Sequence, residues 1–462
     1  MRRSVLAVSA LTAVIGSMLL SATANSAVRG GAGSDAIVTA VACAPGGSCA
    51  AGGRFVDASL RAVAFVLTGK NGHWGRAIQV PGLAALHPKN ANVSAVSCAS
   101  GGCAAGGYYQ DASLRYHAFV TTERGGRWAR LTTVASAKKG STAITGVGSL
   151  SCLASGSCVA AGGRPAFVVS EAHGGWGRAL QFPAEGKIGQ AVVSCASAGN
   201  CSAGWGKFVV RERNGRWGKP AAVPGLTALG TGAQIASVSC PVAASCVAGG
   251  TYQRKSGTTE VFVANERSGR WRKAIEIPGF TALNKEGSGE LTAVSCVSAG
   301  NCVAGGSYAG VADFQGGAFE AFVANERNGR WGKAMDVAGI PPPSSAICEP
   351  DSNRCVAGNV LSVSCARGGS CAVGGWYDTK SINGQAAFVA GYKNGRWTKA
   401  IQIPGLKALD TAKSSQVNSV TCTPAGPCAA GGSYSTAEPL IGPAFVTFEK
   451  NGTWGKAQTV RF

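Results

Sequence analysis

The stretch ERNGRWGKA, Glu326–Ala334, is almost a copy of ERNGRWGKP, Glu212–Pro220. Related versions occur eight times along the 462 residues. In each of them a tryptophan follows shortly after a dipeptide that ends in glycine, such as Asn-Gly or Gly-Gly. Asn-Gly is favoured in two-residue hairpin turns because both residues tolerate a positive φ. The stretch is therefore predicted to reverse the chain between two β-strands.

The hairpin is the second half of a longer unit that also occurs eight times. Each unit runs approximately V-[ST]-C, C-[AV]-A-G-G, A-F-V and then the hairpin, which we interpret as four short strands. The first cysteines of the units are Cys43, Cys98, Cys152, Cys195, Cys240, Cys296, Cys365 and Cys422. Four-stranded units of about 40–55 residues are typical of β-propeller blades.

We therefore predict an all-β fold, a β-propeller of eight four-stranded antiparallel blades, that forms a single domain over residues 37–462. A seven-bladed propeller or a β-solenoid is the alternative. An insertion is expected near residues 341–361, around Cys348 and Cys355 and after a run of three prolines.

The first residues are predicted to be a secretory signal peptide, residues 1–24, followed by a short linker, residues 25–36. Arg2 and Arg3 precede an uncharged apolar run, and Ala22-Thr23-Ala24 forms a small-residue cleavage site. No second long apolar segment follows, so the mature protein is expected to have no transmembrane segment and to be extracellular.

The 18 cysteines of an exported chain are expected to form disulfides. Each unit places its two cysteines at the ends of one hairpin turn, which favours pairing within the unit. Only four histidines are present, none beside a cysteine pair, so no metal site is predicted. The predicted pairs are Cys43–Cys49, Cys98–Cys103, Cys152–Cys158, Cys195–Cys201, Cys240–Cys246, Cys296–Cys302, Cys348–Cys355, Cys365–Cys371 and Cys422–Cys428.

The formal net charge of +21 points to an anionic partner. About half of the Lys and Arg residues lie on the hairpins, among six glutamates that share one position. One interpretation is a polyanion site; the other is solubility and protection of edge strands, a common role of Lys and Arg. The candidate polyanion-binding residues are Arg216, Arg270, Arg330 and Arg396.

A tryptophan opens the last strand of every unit, and we expect these tryptophans to pack between units, since a residue required once per unit usually belongs to the scaffold. A second aromatic series follows strand two, ahead of polar loops. Aromatic residues beside Asp and Arg can hold sugar rings, although packing against the next loop is an equal alternative. The candidate ligand-binding residues are Phe55, Asp57, Tyr109, Asp111, Tyr252, Tyr308, Tyr377 and Tyr434.

Catalytic signals are weak in this sequence. The histidines share no position in the units, and no nucleophile motif or phosphate-binding loop is present. No cofactor and no catalytic residue is predicted, although dispersed carboxylates could still form a hydrolase or lyase site. Nothing resembles a nucleic-acid-binding motif.

The repeat VSCASAGNCSAGW…FVVRERNGRWGKPAAVPG, which begins at Val193, resembles secreted repeat proteins of high-GC Gram-positive bacteria that carry tandem VSC…CAAGG…AFV…NGxWGKA units. The resemblance covers residues 37–462 and implies a propeller without a known activity. The N-G-x-W hairpin is also similar to the Asp-box of sialidase-type propellers. It lacks the fixed aspartate and has a different Gly–Trp spacing, so no sialidase residue is carried over.

These observations predict a secreted, non-enzymatic binding module. The leading hypothesis is lectin-like recognition of a glycan or anionic wall polymer through variable loops on one propeller face. A scaffold for another secreted protein is the alternative, and a glycan-active hydrolase or lyase is the second alternative.

Overall fold

The computed structural model describes residues 35–462 except 71, 138–143, 155, 183–189, 311–318, 342–357, 367–368, 380–383, 394, 425–426 and 437–441. Within these residues the chain is all-β, as predicted, and consists of eight successive units of five strands each. The first two units are joined into one ten-stranded sheet by a parallel pair at Ala62 and Asn90, and each of the other six units forms its own sheet. The predicted signal peptide, most of the predicted linker and insertion, and the Cys348–Cys355 pair lie outside the described residues.

The first four units have strands of similar length and order. Unit 1 contains β1 (Ala36–Cys43), β2 (Ser48–Val56), β3 (Ala62–Lys70), β4 (His73–Trp74) and β5 (Ile78–Gln79). Unit 2 contains β6 (Asn90–Ala99), β7 (Gly102–Gln110), β8 (Tyr116–Arg124), β9 (Arg127–Trp128) and β10 (Thr132–Thr133). Unit 3 contains β11 (Val147–Ala154), β12 (Ser157–Gly162), β13 (Phe167–Ala172), β14 (Gly175–Trp176) and β15 (Leu180–Gln181). Unit 4 contains β16 (Val192–Ser197), β17 (Asn200–Trp205), β18 (Phe208–Arg213), β19 (Arg216–Trp217) and β20 (Ala221–Ala222).

The last four units repeat this order. Unit 5 contains β21 (Thr231–Val242), β22 (Ser245–Gln253), β23 (Thr259–Arg267), β24 (Arg270–Trp271) and β25 (Ile275–Glu276). Unit 6 contains β26 (Glu290–Ser298), β27 (Asn301–Ala309), β28 (Phe319–Arg327), β29 (Arg330–Trp331) and β30 (Met335–Asp336). Unit 7 contains β31 (Gly358–Cys365), β32 (Cys371–Asp378), β33 (Gln385–Lys393), β34 (Arg396–Trp397) and β35 (Ile401–Gln402). Unit 8 contains β36 (Gln416–Cys422), β37 (Cys428–Ser433), β38 (Ala444–Lys450), β39 (Thr453–Trp454) and β40 (Gln458–Thr459).

The predicted fourth strand is two short strands, both paired with the third strand of the unit. In unit 6 the residues between them leave the ladder, and the Ala334 amide donates to the Pro278 carbonyl of unit 5 at 2.8 Å. Ala274 and Ala457 bond the preceding unit's Pro224 and Pro404 in the same way, at 2.8 and 2.9 Å. The prediction of one continuous strand is therefore wrong, because the central residues join neighbouring units instead.

The hairpin disulfides are confirmed for eight of the predicted pairs, each of which links the first and second strands of one unit. In seven of them the two cysteines are directly opposed, and in unit 5 Cys240 and Cys246 lie at an irregularity of the ladder. The sequence separations of the eight pairs are 5 or 6 residues. The pairs are Cys43–Cys49, Cys98–Cys103, Cys152–Cys158, Cys195–Cys201, Cys240–Cys246, Cys296–Cys302, Cys365–Cys371 and Cys422–Cys428.

The Gly-Gly pair of the second strand is explained by two close approaches. A Cβ on Gly305 would lie 2.8 Å from Val360 Cγ1 of the next unit. A Cβ on Gly306 would lie 1.9 Å from the Glu290 carbonyl oxygen, beside an irregularity in the first strand. The absence of a side chain at the first glycine thus allows close packing of the neighbouring unit. Its absence at the second glycine allows the backbone of the unit's own first strand to approach.

Serines of the V-S-C segments join the first strands of successive units. The Ser295 hydroxyl accepts the Cys365 amide of the next unit at 2.9 Å. The same bond, at 2.9–3.0 Å, joins Ser97 to Cys152, Ser151 to Cys195, Ser194 to Cys240, Ser239 to Cys296 and Ser364 to Cys422. The serine is therefore an inter-unit hydrogen-bond acceptor.

The apolar core is distributed between units rather than held in one centre. Eight clusters of buried residues each combine side chains of two neighbouring units. One of them packs Val38 and Val41 of unit 1 against Val446 of unit 8. The Val41 amide also donates to Ser419 Oγ at 3.0 Å, and the Ala77 amide donates to the Arg461 carbonyl at 2.7 Å. Units 1 and 8 thus contact each other as successive units do.

In the part of the chain that the structure describes, helical structure is limited to short turns in the connections between units. A 3-10 turn spans Ala84–Leu86, and four-residue helices α1, α2 and α3 span Leu226–Leu229, Phe280–Leu283 and Leu406–Leu409. Across the described ranges, no helix has the length and apolar character needed to span a membrane.

Candidate functional site

The hairpins described at the outset form one edge of every unit, next to the disulfide turn. In six units the penultimate residue of the third strand is a glutamate that pairs across the turn with the tryptophan. The pairs are Glu123–Trp128, Glu171–Trp176, Glu212–Trp217, Glu266–Trp271, Glu326–Trp331 and Glu449–Trp454. All six glutamates are buried, with 2–8% of their surface exposed. They are therefore not part of the exposed charge of the hairpins, to which their position in the sequence would assign them.

At two unit boundaries a polar residue from the preceding unit bonds both the glutamate and the tryptophan. In unit 5, Asn265 Oδ1 accepts the Trp331 indole N–H at 3.1 Å, and its Nδ2 donates to Glu326. In unit 2, the Thr122 hydroxyl donates to Glu171 Oε1 at 3.3 Å and accepts the Trp176 indole N–H at 3.2 Å. These tryptophans pack at unit boundaries, as expected from the sequence.

Arginines add a second contact across these boundaries. Arg267 Nη2 donates to the Gly329 carbonyl at 2.7 Å, and Arg327 Nη2 donates to the Gly395 carbonyl at 2.6 Å. Arg211 forms an ion pair with the buried Glu266. The position before each glutamate, which holds Asn265 or Arg211, was missed by sequence reasoning. The sequence does contain a signal for this position: its residue type varies from unit to unit, whereas the rest of the hairpin is nearly constant.

Glu212 differs from the other buried glutamates. It lies two residues after Val210, on the strand face that packs against unit 3. Unit 3 has Ser170 and Ala172 where unit 5 has Asn265 and Arg267. In the described part of the chain no donor reaches Glu212 Oε2. Among the described residues, the Oε2 atoms of Glu171, Glu266 and Glu326 also lack a donor, but a nearby arginine partly offsets the effect of burial on the pKa of those carboxyls. For Glu212, burial alone acts, and it raises the pKa of this carboxyl. The boundary between units 3 and 4 therefore contains a buried carboxyl without a matching group.

Glu212→Gln is expected to raise the free energy of unfolding near neutral pH by on the order of 1 kcal/mol, because the uncharged amide is cheaper to bury. The folded-state pKa lies above the unfolded one, so the stabilising contribution of protonated Glu212 is present at low pH and lost as pH rises through the folded pKa. Urea unfolding at several pH values should show a difference between variant and wild type that grows with pH.

Glu266→Gln is the matched control, because this change leaves the mostly buried Arg211 guanidinium without its counter-ion. It should lower stability at neutral pH. Equal effects of the two substitutions would contradict the assignment of Glu212 as the unmatched member.

Clefts open between neighbouring units at the hairpin edge. One, of about 300 Å³, lies between units 4 and 5 and is lined by residues including Arg211, Arg213 and Asn214. Another, of about 250 Å³, lies between units 5 and 6 beside Arg267 and Asn328. Both clefts therefore carry arginine at their walls.

The outer surface of the hairpins of units 4 to 7 is strongly basic. The four predicted polyanion-binding residues, Arg216, Arg270, Arg330 and Arg396, are exposed. Each has further exposed cations on its hairpin, and segments 213–219, 267–273, 327–333 and 393–399 contain no acidic residue. The glutamates of the hairpins of units 4 to 6 are buried, and unit 7 has Tyr392 at that position, so no carboxylate of this position is exposed beside these cations. The neighbouring exposed cations are Arg213, Lys219, Arg267, Arg272, Lys273, Arg327, Lys333, Lys393 and Lys399.

The predicted aromatic binding series is mostly buried. Tyr109, Tyr252, Tyr308 and Tyr434 expose 1–7% of their surface. Their hydroxyls reach the second residue of the unit's last short strand, at Thr133, Glu276, Asp336 and Thr459 respectively. The prediction of exposed sugar-stacking rings is wrong for these four, because the second strand continues past Gly-Gly and turns the tyrosine inward.

The remaining aromatic candidates also have partners within the fold. Phe55 packs against Phe65 and Phe462, at centroid distances of 6.4 and 4.6 Å. Tyr377 is half-buried, and its hydroxyl accepts a hydrogen bond from Gln402 Nε2 at 3.2 Å. In the described residues, the aromatic candidates therefore do not form a common exposed surface.

Asp57 and Asp111 organise turns. Asp57 Oδ1 accepts the Ser59 and Arg61 amides at 2.8 and 3.0 Å, and Oδ2 accepts Arg61 Nε at 3.0 Å. Burial raises the pKa of Asp57, but the bonds from Arg61 and Ser59 outweigh it, so the pKa is lowered. Asp111 makes the same amide bonds and contacts His117 Nε2 at 2.8 Å, which lowers its pKa. Both carboxylates are occupied by their own loops.

One pair of carboxyl groups converges on a tyrosine. The Tyr308 hydroxyl lies 3.0 Å from Glu320 Oε2 and 2.6 Å from Asp336 Oδ1. Burial, together with the Asp336 charge, raises the pKa of Glu320. Of the residues with described positions, no three His, Cys, Asp or Glu side chains are arranged to hold a metal ion.

No protein family model and no curated protein sequence matches this chain. A GH74 xyloglucanase from Xanthomonas campestris is similar at 12% identity and a TM-score of 0.41, over 92% of this chain and 74% of that chain. A PL25 ulvan lyase gives 9% and 0.39, over 93% and 95%. A post-proline cleaving enzyme from Rickettsia typhi gives 6% and 0.40, over 93% and 53%. At these TM-scores the likenesses carry no argument about fold or activity.

Proposed function

We propose that this chain is a secreted, non-enzymatic binding module that holds an anionic glycan or wall polymer on the hairpin edge of units 4 to 7. We also propose that its eight units are the blades of one closed eight-bladed β-propeller spanning residues 37–462. The observation that carries the function is the exposed basic surface of four successive hairpins, in which the glutamates of units 4 to 6 are buried and unit 7 has Tyr392 in their place.

Contacts between units 1 and 8 support closure. The bond from Ala77 to Arg461 repeats the bond that Ala334 makes to Pro278. A Cβ on Gly431 of unit 8 would lie 2.6 Å from Val38 Cγ1 of unit 1, as Gly305 approaches Val360. Class averages of single-particle images viewed along the ring should therefore show eight lobes, and an open chain of lobes would contradict closure.

The disulfides support secretion. Eight are present in the described residues, and disulfides persist mainly in oxidising compartments. The predicted signal peptide agrees with this location. Cleavage near Ala24 and recovery of the protein from culture medium would test it.

The basic surface suits a polymer with repeated negative charges. Each of the four hairpins presents the same arginine at the start of its short strand, so equivalent cations recur once per unit. A polyanion that contacts several of them releases counter-ions, and its affinity falls steeply with salt. The lectin-like site on the variable loops has lost its exposed tyrosines, so the hairpin edge is the better-supported surface.

Reversing Arg216, Arg270, Arg330 and Arg396 together to glutamate is expected to abolish retention on a sulfated-polysaccharide column and on immobilised glycerol-phosphate polymer. Thermal stability should remain nearly unchanged, because surface substitutions away from packed or paired groups usually change stability by less than about 0.5 kcal/mol. Salt elution of wild type and variant measures the effect.

The control reverses four exposed lysines away from these hairpins, Lys89, Lys255, Lys285 and Lys407, to glutamate. It has the same net charge as the test variant and should still be retained. Equal loss in both variants would show attraction by net charge alone and would contradict a hairpin site. Release of new polysaccharide ends during binding would instead indicate an enzyme, with Glu320 and Asp336 as the first residues to substitute.

A further inference from the structure

Units 1 and 2 share a loop of sequence Asp-Ala-Ser-Leu-Arg between their second and third strands, at residues 57–61 and 111–115. In unit 1 the Asp57 amide donates to the Arg61 carbonyl at 2.9 Å, and the Leu60 amide donates to the Asp57 carbonyl at 2.9 Å. The loop of unit 2 makes both bonds at 3.0 Å. The two adjacent units therefore present the same tight turn with a leucine at the same place.

These leucines have an unusual conformation and exposure. Leu60 and Leu114 adopt φ of 59° and 62°, in the left-handed region that bulky side chains rarely occupy. Their side chains are also the most exposed of the large apolar residues described, at 87% and 64%. Each leucine therefore carries backbone strain and gains no burial in return.

Unit 5 shows that this turn does not require a leucine. Its residues 254–258 form the same pair of bonds, Arg254 amide to Thr258 carbonyl at 2.8 Å and Gly257 amide to Arg254 carbonyl at 2.9 Å. The residue in the left-handed position is Gly257, with φ of 91°. Glycine adopts this conformation without steric cost. The leucines of units 1 and 2 are therefore unexplained by folding.

The surroundings of the two tips are basic and aromatic. Arg61 and Arg115 directly follow the leucines and are exposed. Tyr116 is 42% exposed and packs edge-on against Tyr108 at 5.4 Å. Ala62, which follows Arg61, pairs with Asn90 of unit 2, and Asn90 pairs with Gln110, which precedes Asp111, so the two loops lie beside each other at one end of the same sheet. Asp57 forms an ion pair with Arg61 at 2.9 Å, whereas the Asp111 carboxylate contacts His117 Nε2 at 2.8 Å and accepts the Ser113 and Arg115 amides. The Arg115 guanidinium is therefore the better placed of the two loop cations to meet a phosphate.

We propose that Leu60 and Leu114 are insertion tips that dock this surface on an anionic phospholipid membrane. Two convex apolar tips form no pocket for a sugar. Contact with a hydrated polymer would also leave the leucine side chains in water, so no apolar surface would be buried. A bilayer accepts the leucines in its acyl region while its phosphates meet the arginines and its interface receives the tyrosines. This surface lies at the opposite end of the strands from the hairpin edge, so the proposal is independent of polyanion binding.

The test is sedimentation of the full mature protein with vesicles of phosphatidylcholine containing phosphatidylglycerol. Leu60→Gly/Leu114→Gly is expected to lower the partition coefficient by on the order of a hundredfold, since each inserted leucine is worth about tenfold or more. The same variant should melt at a higher temperature, because glycine removes the strain. Weaker binding by a more stable protein cannot be attributed to misfolding.

Two further variants separate the alternatives. Ile275→Ala/Met335→Ala removes two exposed apolar side chains elsewhere and should bind vesicles like wild type. The fourfold arginine reversal on the hairpins should also retain leucine-dependent binding. Unchanged binding by the leucine variant overturns the proposal, and so does a wild-type protein that binds no vesicles. If the wild type binds no vesicles but captures a protein in a leucine-dependent way, the two leucines would bind an apolar groove on that protein instead.

Discussion

Trp331→Ala is expected to lower the free energy of unfolding by about 3–5 kcal/mol, the usual cost of truncating a buried aromatic side chain. Trp331 is 8% exposed and belongs to the cluster between units 5 and 6. Its loss also removes the donor to Asn265 Oδ1. Chemical denaturation of the variant, followed by circular dichroism, measures the effect.

Trp331→Phe is the control that separates packing from hydrogen bonding, because it retains an aromatic ring and removes only the indole N–H. It should cost about 1 kcal/mol or a little more. A stable Trp331→Ala protein that no longer binds polyanion would contradict the scaffold role and place the tryptophan in the binding surface.

Tyr308→Ala is a useful comparison, because the sequence places Tyr308 after the second strand, ahead of a polar loop, where truncation would cost less than at Trp331. In the structure the strand continues to Ala309, and Tyr308 is 2% exposed, packs near Phe280 at 6.2 Å and bonds two carboxyl groups. Its truncation is therefore expected to fall in the same range of about 3–5 kcal/mol as that of Trp331.

Gly306→Ala is expected to prevent unit 6 from forming its sheet. The added Cβ would lie 1.9 Å from the Glu290 carbonyl oxygen, and that oxygen belongs to backbone held in the strand ladder. The strand must separate or the unit must lose its register, so a loss of about 4 kcal/mol or more is expected, at the extreme of single substitutions. Soluble yield and thermal melting measure the loss.

Gly46→Ala is the matched control for this substitution. No atom lies within 4 Å of a Cβ built on Gly46, and its φ is outside the left-handed region. The change should be neutral or stabilise slightly, since alanine restricts the unfolded chain. A Gly306→Ala protein as stable as Gly46→Ala would show that the first strand can move away and that the close approach is not obligatory.

The fold was largely predictable because its signals are local. Asn328 and Gly329 have the positive φ values, 50° and 77°, that an Asn-Gly hairpin turn predicts. The cysteine pairs lie within one hairpin, so their spacing alone was sufficient. The division of the last strand could not be predicted, because the partner of Ala334 is Pro278 in another unit.

The candidate site was less predictable because it depends on distant partners. From the sequence, Glu326 is expected to be a surface charge. In the structure it accepts a hydrogen bond from Asn265, which lies 61 residues earlier in the chain. Tyr308 looked like the first residue of an exposed loop, but its strand continues to Ala309 and pairs it with Glu320. A single sequence shows which residues recur, and only the packing of units shows which way they point.

The placement of the disulfides has a consequence for biosynthesis. In each of the eight hairpin pairs a cysteine is bonded to the next cysteine in the chain, 5 or 6 residues later. A polypeptide that emerges N-terminus first can therefore close each cross-link before the next pair appears, without choosing among distant thiols. Oxidation can keep pace with emergence, and none of these bonds has to be broken and re-formed when the ends of the molecule finally meet.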